Sequence, residues 1–308
     1  MTIWVSGSIA YDVILDYPEK FADKINPKKI HALSISFTVN KIKKSFGGTA
    51  ANIVYNLLKL GIDAGIIGSI GKDGKDYFKY LKNLGVKIEC LKISNKNDTA
   101  SAFVMTDTQD NQISAFYTGA VSEKVCLPKL ALCDWPIICA EGKENMIALA
   151  RHYQKSKHKY IFDPGQAITI LSSEELAIGI KGASILIGND YEIDYVLHKI
   201  NKKRLPCVII RTLGPKGSEI IYPNGKKDKI KAVKVENPVD PTGAGDAYRA
   251  GLIKGVISGY NLKVAGQIAS TVASFAVEKY GTQEHKLSWR KVLIRYKDNF
   301  PPQEMGRD

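Results

Sequence analysis

The stretch Val239-Asp240-Pro241-Thr242-Gly243-Ala244-Gly245-Asp246-Ala247-Tyr248-Arg249-Ala250-Gly251 decides how the rest of the chain reads. Pro241 blocks a helix and fixes one backbone angle. Gly243 and Gly245 admit unusual dihedrals and let a ligand come close to the backbone. After Asp246 the pattern turns helical, with Ala247, Ala250, Leu252, Ile253, Val256 and Ile257 clustering on one face. The stretch is therefore a glycine turn feeding a helix N-terminus, where free N–H groups and the helix dipole favour an anion. Asp246 is a carboxylate in that place. As a plain helix cap it needs no further role. Beside a bound phosphate it would be repelled unless it had work to do, and the obvious work is accepting a proton from an attacking hydroxyl.

The string Asp240-Pro241-Thr242-Gly243-Ala244-Gly245-Asp246 closely resembles the C-terminal signature of the ribokinase-like sugar and nucleoside kinases, the phosphofructokinase-B family. That resemblance implies an α/β fold: a central, mostly parallel sheet with helices on both faces, plus a small β-sheet lid. It implies Asp246 as catalytic base, the amides of Gly243, Ala244 and Gly245 as an anion hole, and Thr242 among the nucleotide contacts.

Other segments match the same family in order. The run Ile3-Trp4-Val5-Ser6-Gly7-Ser8-Ile9 reads as a buried strand ending in a loop, and ligands of open α/β sheets bind at that end. Asp12 lies just beyond. A carboxylate suits a vicinal diol, because its two oxygens accept two hydrogen bonds, and the resemblance gives Asp12 that role toward a sugar. Phe46-Gly47-Gly48-Thr49-Ala50-Ala51-Asn52 leads a glycine pair into a helix. By resemblance Gly47, Gly48 and Asn52 contact the substrate. Thr49 stands where sugar kinases often have Lys, and the Gly-Gly-Thr-Ala form resembles the adenosine-kinase-like branch. Asn189 and Glu192 match an Asn-x-x-Glu motif tied to Mg²⁺ and phosphate placement, largely through the ion's water shell; as an N-cap with an acidic first turn they need no ion. Thr212, Gly214 and Gly217 resemble the family's nucleotide loop. Tyr280 to His285 resembles a segment that closes the ATP pocket and, in some members, a site for K⁺.

Strands alternating with helices imply a mostly parallel sheet. Strands are expected over Ala64 to Gly71, Pro136 to Ala140, Tyr160 to Asp163, Ser184 to Gly188 and Cys207 to Arg211. Two segments interrupt this rhythm, at about residues 12–44 and 99–118. The first has β-type alternation such as Leu33-Ser34-Ile35-Ser36-Phe37. The second reads as a hairpin, Ala102 to Thr106 and Gln112 to Phe116, about a polar turn. Both are expected to form the lid inserted in one kinase domain spanning residues 1–308, closing to exclude water.

The chain has 308 residues, 44% of them apolar, enough for a substantial core. Its formal charge of +13 comes from scattered lysines rather than a basic stripe with interleaved aromatics. No nucleic-acid partner is expected, and the surface favours polyanionic small molecules such as ATP. Five cysteines without Cys-x-x-Cys spacing argue against a disulfide framework or a zinc site. No signal peptide or transmembrane run is read, so a cytoplasmic monomer or homodimer away from membranes is expected.

The substrate class rests on the resemblance. Gly47-Gly48-Thr49-Ala50, the Asp110-Asn111-Gln112 stretch and Gly281-Thr282-Gln283 point to a nucleoside, adenosine first. A purine needs an apolar stacking surface, which Phe103, Phe116 and Phe46 could supply; Phe103 and Phe116 could equally pack the inner face of the lid. A kinase for ribose, fructose or another sugar is the alternative, and a non-catalytic nucleotide sensor the alternative of another class. Arg249 could neutralise charge at the transferring phosphate or make a salt bridge on the helix surface.

Overall fold

Apolar runs too short to be helices alternate with longer amphipathic ones, and the chain folds as that rhythm dictates. The computed structural model describes residues 1–26, 34–109 and 111–300. The elements in the first half are β1 (Ile3–Ser6), β2 (Ala10–Asp16), β3 (Lys41–Gly47), α1 (Thr49–Lys59), β4 (Ala64–Ile70), α2 (Lys75–Asn83), β5 (Lys87–Ile93), β6 (Ala100–Thr106) and β7 (Gln112–Tyr117). Then come β8 (Trp135–Ile138), α3 (Lys143–Lys155), β9 (Tyr160–Phe162), α4 (Ser173–Lys181), β10 (Ala183–Asn189), α5 (Asp190–Lys199) and β11 (Val208–Thr212). The chain ends with β12 (Ser218–Ile221), β13 (Lys227–Ile230), α6 (Ala244–Ile257), α7 (Leu262–Ala276) and α8 (Trp289–Asn299).

Among the described residues, nine strands form one sheet in the order β13-β12-β11-β10-β9-β8-β1-β4-β5. From β5 to β11 the pairings are parallel; β12 and β13 add an antiparallel edge. That edge hairpin was not among the expected strands, although the Asn224-Gly225 pair between its arms is a strong turn signal. Side chains alternate across the sheet. Ile3, Val5, Ile66, Ile137, Ile185 and Ile187 enter the core shared with α1, α6, α7 and α8. Trp4, Ile67, Ile138, Phe162 and Leu186 enter a second core with α3, α4 and α5. Burial on both faces is why these strands read as continuous apolar runs.

The remaining strands form a separate four-stranded sheet, β3-β2-β6-β7. Four residues from the end of β1 the chain is already in β2, and β3 ends one residue before the glycine that caps α1, so this sheet is tied closely to the strand ends of the larger one. The hairpin β6–β7 forms as expected. The expected alternation over 33–37 gives no strand at the described residues 34–37, and Leu33 lies outside the described residues. Phe37 instead packs edge-on against Tyr17 and Phe21, at ring separations of 5.0 and 5.4 Å. Among the described residues, no helix is long and apolar enough to cross a membrane.

Candidate active site

Gly243 takes φ +80° and caps α6, a left-handed conformation that glycine alone adopts without strain. The turn before it is braced from both sides. Asp240 Oδ1 accepts from Thr242 N at 2.9 Å, and Asp240 Oδ2 accepts from Gly281 N at 3.0 Å. The Ala244 amide turns back onto Pro241 O at 3.1 Å. The amides of Gly245 and Asp246 open the first helical turn, where helix geometry supplies no partner.

Asp246 meets groups from distant parts of the chain. Its Oδ2 accepts from Asn52 Nδ2 at 2.8 Å. Burial pushes its carboxyl up to about 6, against the opposing pull of Arg249 and Asn52; Asp163 and Asp12 push the same way as burial. Arg249 is buried and tied to Asp163, Nη2 to Oδ1 at 2.8 Å and Nε to Oδ2. It is thus no surface salt bridge: Asp163, the residue after β9, meets it inside the protein.

Asp12 lies in β2 of the smaller sheet. A Cβ added at Gly47 would sit 2.1 Å from Asp12 Oδ2, so the absence of a side chain at 47 is what makes room for this carboxylate. Burial, then Asp240, pushes Asp12 up to about 6 as well. Gly48, at φ +90°, starts α1 and delivers Asn52 one turn later. The structure brings Asp12, Gly47, Asn52 and Asp246 into one neighbourhood.

The three aromatics separate. In the small sheet Asp12 pairs with Ala102, and Ala102 with Phe116, so Phe116 shares the face of Asp12. Phe103 pairs with Val13 and Ala115 and lies on the opposite face. Phe46 pairs with Tyr11 on that opposite face too, stacked on Tyr77 and Tyr80 at 4.3 and 4.6 Å between rings. A shared stacking surface from Phe46, Phe103 and Phe116 does not exist: strand residues of opposite parity point away from one another.

The residues expected at the nucleotide follow strand ends. Thr212 closes β11, its Oγ1 3.4 Å from Gly188 O, and Gly214 and Gly217 flank the short turn after it. Asn189 closes β10 and caps α5. Asn189 Oδ1 accepts from Glu192 N and Glu192 Oε2 accepts from Asn189 N, each at 2.8 Å. Burial raises the Glu192 carboxyl above its usual range.

Several contacts at the site were not anticipated. Gln283 lies between Asn52 and Tyr77, and Tyr77 donates to Gly47 O at 2.6 Å. Thr282 Oγ1 donates to Phe46 O at 3.1 Å, and His285 Nε2 lies 2.7 Å from Asn56 Oδ1. The 280–285 segment thus packs on β3 and α1. Glu141, three residues after β8, is buried with its Oε1 unpartnered, and burial pushes its carboxyl up to about 8. A charged residue directly after the apolar run Ile137-Ile138-Cys139-Ala140 was the signal for it.

A doubly wound sheet whose strand ends converge on a glycine turn, with a small β-sheet beside it, is the architecture of the ribokinase-like phosphotransferases, which move a phosphoryl group from ATP to an alcohol. The chain belongs to the pfkB family of carbohydrate kinases, whose family model matches residues 4–290. It is 36% identical over 292 residues to a nucleoside kinase of Methanothermobacter thermautotrophicus, covering 90% of this chain and 89% of that one. The solved nucleoside kinase of Methanocaldococcus jannaschii superposes with TM-score 0.86 at 32% identity, over 97% of this chain and 98% of the other. That of Burkholderia thailandensis in complex with ADP-inosine superposes with TM-score 0.83 at 30% identity, over 99% and 98%.

Proposed function

We propose that the protein transfers the γ-phosphate of ATP to the 5′-hydroxyl of a nucleoside, adenosine being the first candidate. The observation that carries this reading is the Asp246 carboxyl at a helix-opening glycine turn, held by Asn52 and pushed up to about 6. A general base works best when its pKa lies near the working pH.

In this reading Asp12 accepts hydrogen bonds from the ribose diol, beside the backbone of Gly47 and Gly48. Phe116 offers a face to the base. Thr212, Gly214, Gly217, Asn189 and Thr242 line the nucleotide. The turn presents the amides of Gly243 and Gly245 to the phosphates; the expected part of Ala244 is corrected, because its amide is held by Pro241 O. The 5′-hydroxyl gives its proton to Asp246 as its oxygen attacks the γ-phosphorus and ADP leaves. Such transfers depend on positioning and charge neutralisation above all. The four-stranded sheet acts as a lid that keeps water from competing.

Mg²⁺ fits the residues present. The capping box occupies Asn189 Oδ1 and Glu192 Oε2, which leaves Glu192 Oε1 as a carboxylate oxygen for an ion that keeps most of its waters. Bound there, the ion would neutralise phosphate charge. A cytoplasmic location belongs to the same proposal, since ATP and nucleosides are met there.

The test is a phosphoryl-transfer screen with MgATP, with and without K⁺, against adenosine, inosine, guanosine, cytidine, ribose and fructose. Turnover of a nucleoside at low KM, with free sugars inert, supports the reading. Turnover of a sugar alone would remove the nucleoside and leave the sugar-kinase alternative.

A further inference from the structure

Tyr77 is fully buried and its hydroxyl proton is committed to Gly47 O at 2.6 Å. Its oxygen is left to accept, and Gln283 Nε2 lies 3.2 Å away. The same Nε2 donates to Asn52 Oδ1 at 2.9 Å. Both neighbours of the Gln283 amide nitrogen are therefore acceptors, which fixes the amide with nitrogen inward. Asn52 in turn has its oxygen held by Gln283, so its Nδ2 must face Asp246, where it donates at 2.8 Å. An Asn52 amide turned about would set Oδ1 against the Asp246 carboxylate, two acceptors in contact. Gln283 holds this place although its own Oε1 is buried and unpartnered. Such a group costs stability, so the side chain is kept here for its donors.

We propose that Gln283 is a positioning residue for phosphoryl transfer: by fixing the orientation of the Asn52 amide it keeps a donor on the Asp246 carboxylate and aims the other carboxylate oxygen at the substrate hydroxyl. The proposal rests on the reading of Asp246 as base. The other groups that act on Asp246 are Arg249 on its own helix, Asp163 after β9, Asp12 from β2 and Cys139 after β8. Substitution at 283 leaves all of these in place.

The experiment compares Gln283→Met, which keeps size and loses both donors, with Gln283→Glu, which reverses polarity and would accept from Asn52 Nδ2. Each is assayed as the full chain with MgATP and the nucleoside that the parent phosphorylates, over pH 5 to 9, beside Asp246→Asn. A hydrogen bond to a charged group is worth roughly one pH unit in its titration. For Gln283→Met the acid limb of kcat should rise by about that much: a deficit of about tenfold below pH 5.5 that closes by pH 8.5, with KM for ATP unchanged. Gln283→Glu should show the larger displacement. Thermal unfolding and ATP binding identify a variant that fails to fold, and the other variant then decides. A deficit uniform across pH, or profiles that superimpose on the parent, would overturn the proposal while leaving Asp246 as base. Retained turnover in Asp246→Asn would instead remove the base reading, and this inference with it.

Discussion

Arg249 and Asp163 lock together through two parallel hydrogen bonds, Nη2 to Oδ1 at 2.8 Å and Nε to Oδ2, within one helical turn of Asp246. The pair is buried, so each charge depends on the other. The fork of the guanidinium matches the carboxylate as an ammonium cannot. Asp163→Ala should destabilise the protein by about 3–5 kcal/mol, the usual cost of leaving one buried charge alone. Arg249→Lys should fold but unfold at lower denaturant. Urea titrations followed by fluorescence check both, and wild-type stability in Asp163→Ala would show that the pair is solvated.

Asp246→Asn should keep ATP binding and lose transfer by about 10²–10⁴-fold, the span for a general base. The same variant should be the more stable one. Because the folded carboxyl is raised above its ordinary value, its contribution to stability is present at low pH and lost as pH rises through about 6. At pH 7 the charged group is therefore a liability, and removing it should add about 1–2 kcal/mol. Isothermal titration with ATP and thermal unfolding at pH 7 measure the two effects.

Two carboxyls at about 6, Asp12 and Asp246, shape the acid limb. In the proposed mechanism both must be ionised, one to accept the diol and one to accept the proton. Log kcat/KM should fall below pH 6 with a slope approaching two. In Asp12→Asn the slope should drop toward one while KM rises. A parent profile with a slope of one would mean that a single carboxyl governs the free enzyme.

The register of the lid separates its aromatics. Phe116→Ala should raise KM for a nucleoside by about tenfold or more, since stacking a base is worth about 1–3 kcal/mol. Phe103→Ala, on the far face, should leave KM within about twofold. Equal effects would mean that the base is not held on the Asp12 face.

The glycine turns were legible because their meaning is local: Pro241, Gly243 and Gly48 shape the backbone whatever surrounds them. The inner strands of the large sheet were legible because burial on both faces makes them apolar, whereas those toward its two edges, β5, β12 and β13, carry charged residues and were not. Phe103 and Phe116 were not separable into faces, since that needs the register across the 107–111 turn. The paired numbers sum to an even value, as in Phe103 with Ala115, which puts 103 and 116 on opposite sides. Arg249 was left between a phosphate partner and a helix-surface salt bridge because its true partner, Asp163, lies 86 residues earlier. Gln283 read as part of a segment closing the ATP pocket and of a nucleoside signature; its bond to Asn52, 231 positions away, was hidden for the same reason. Side-chain contacts over such separations leave no periodic trace in the chain.

The hydrogen-bonded series from Gly47 through Tyr77, Gln283 and Asn52 to Asp246 joins residues as far as 231 positions apart. During synthesis the glycine turns and most strands emerge long before residue 283 does. A ribosome-bound chain that has exposed Asp246 still lacks Gln283, whose amide bonds the Asn52 that donates to it. If Gln283 positions Asp246 as proposed, competence for transfer arrives last, with the final stretch before α8.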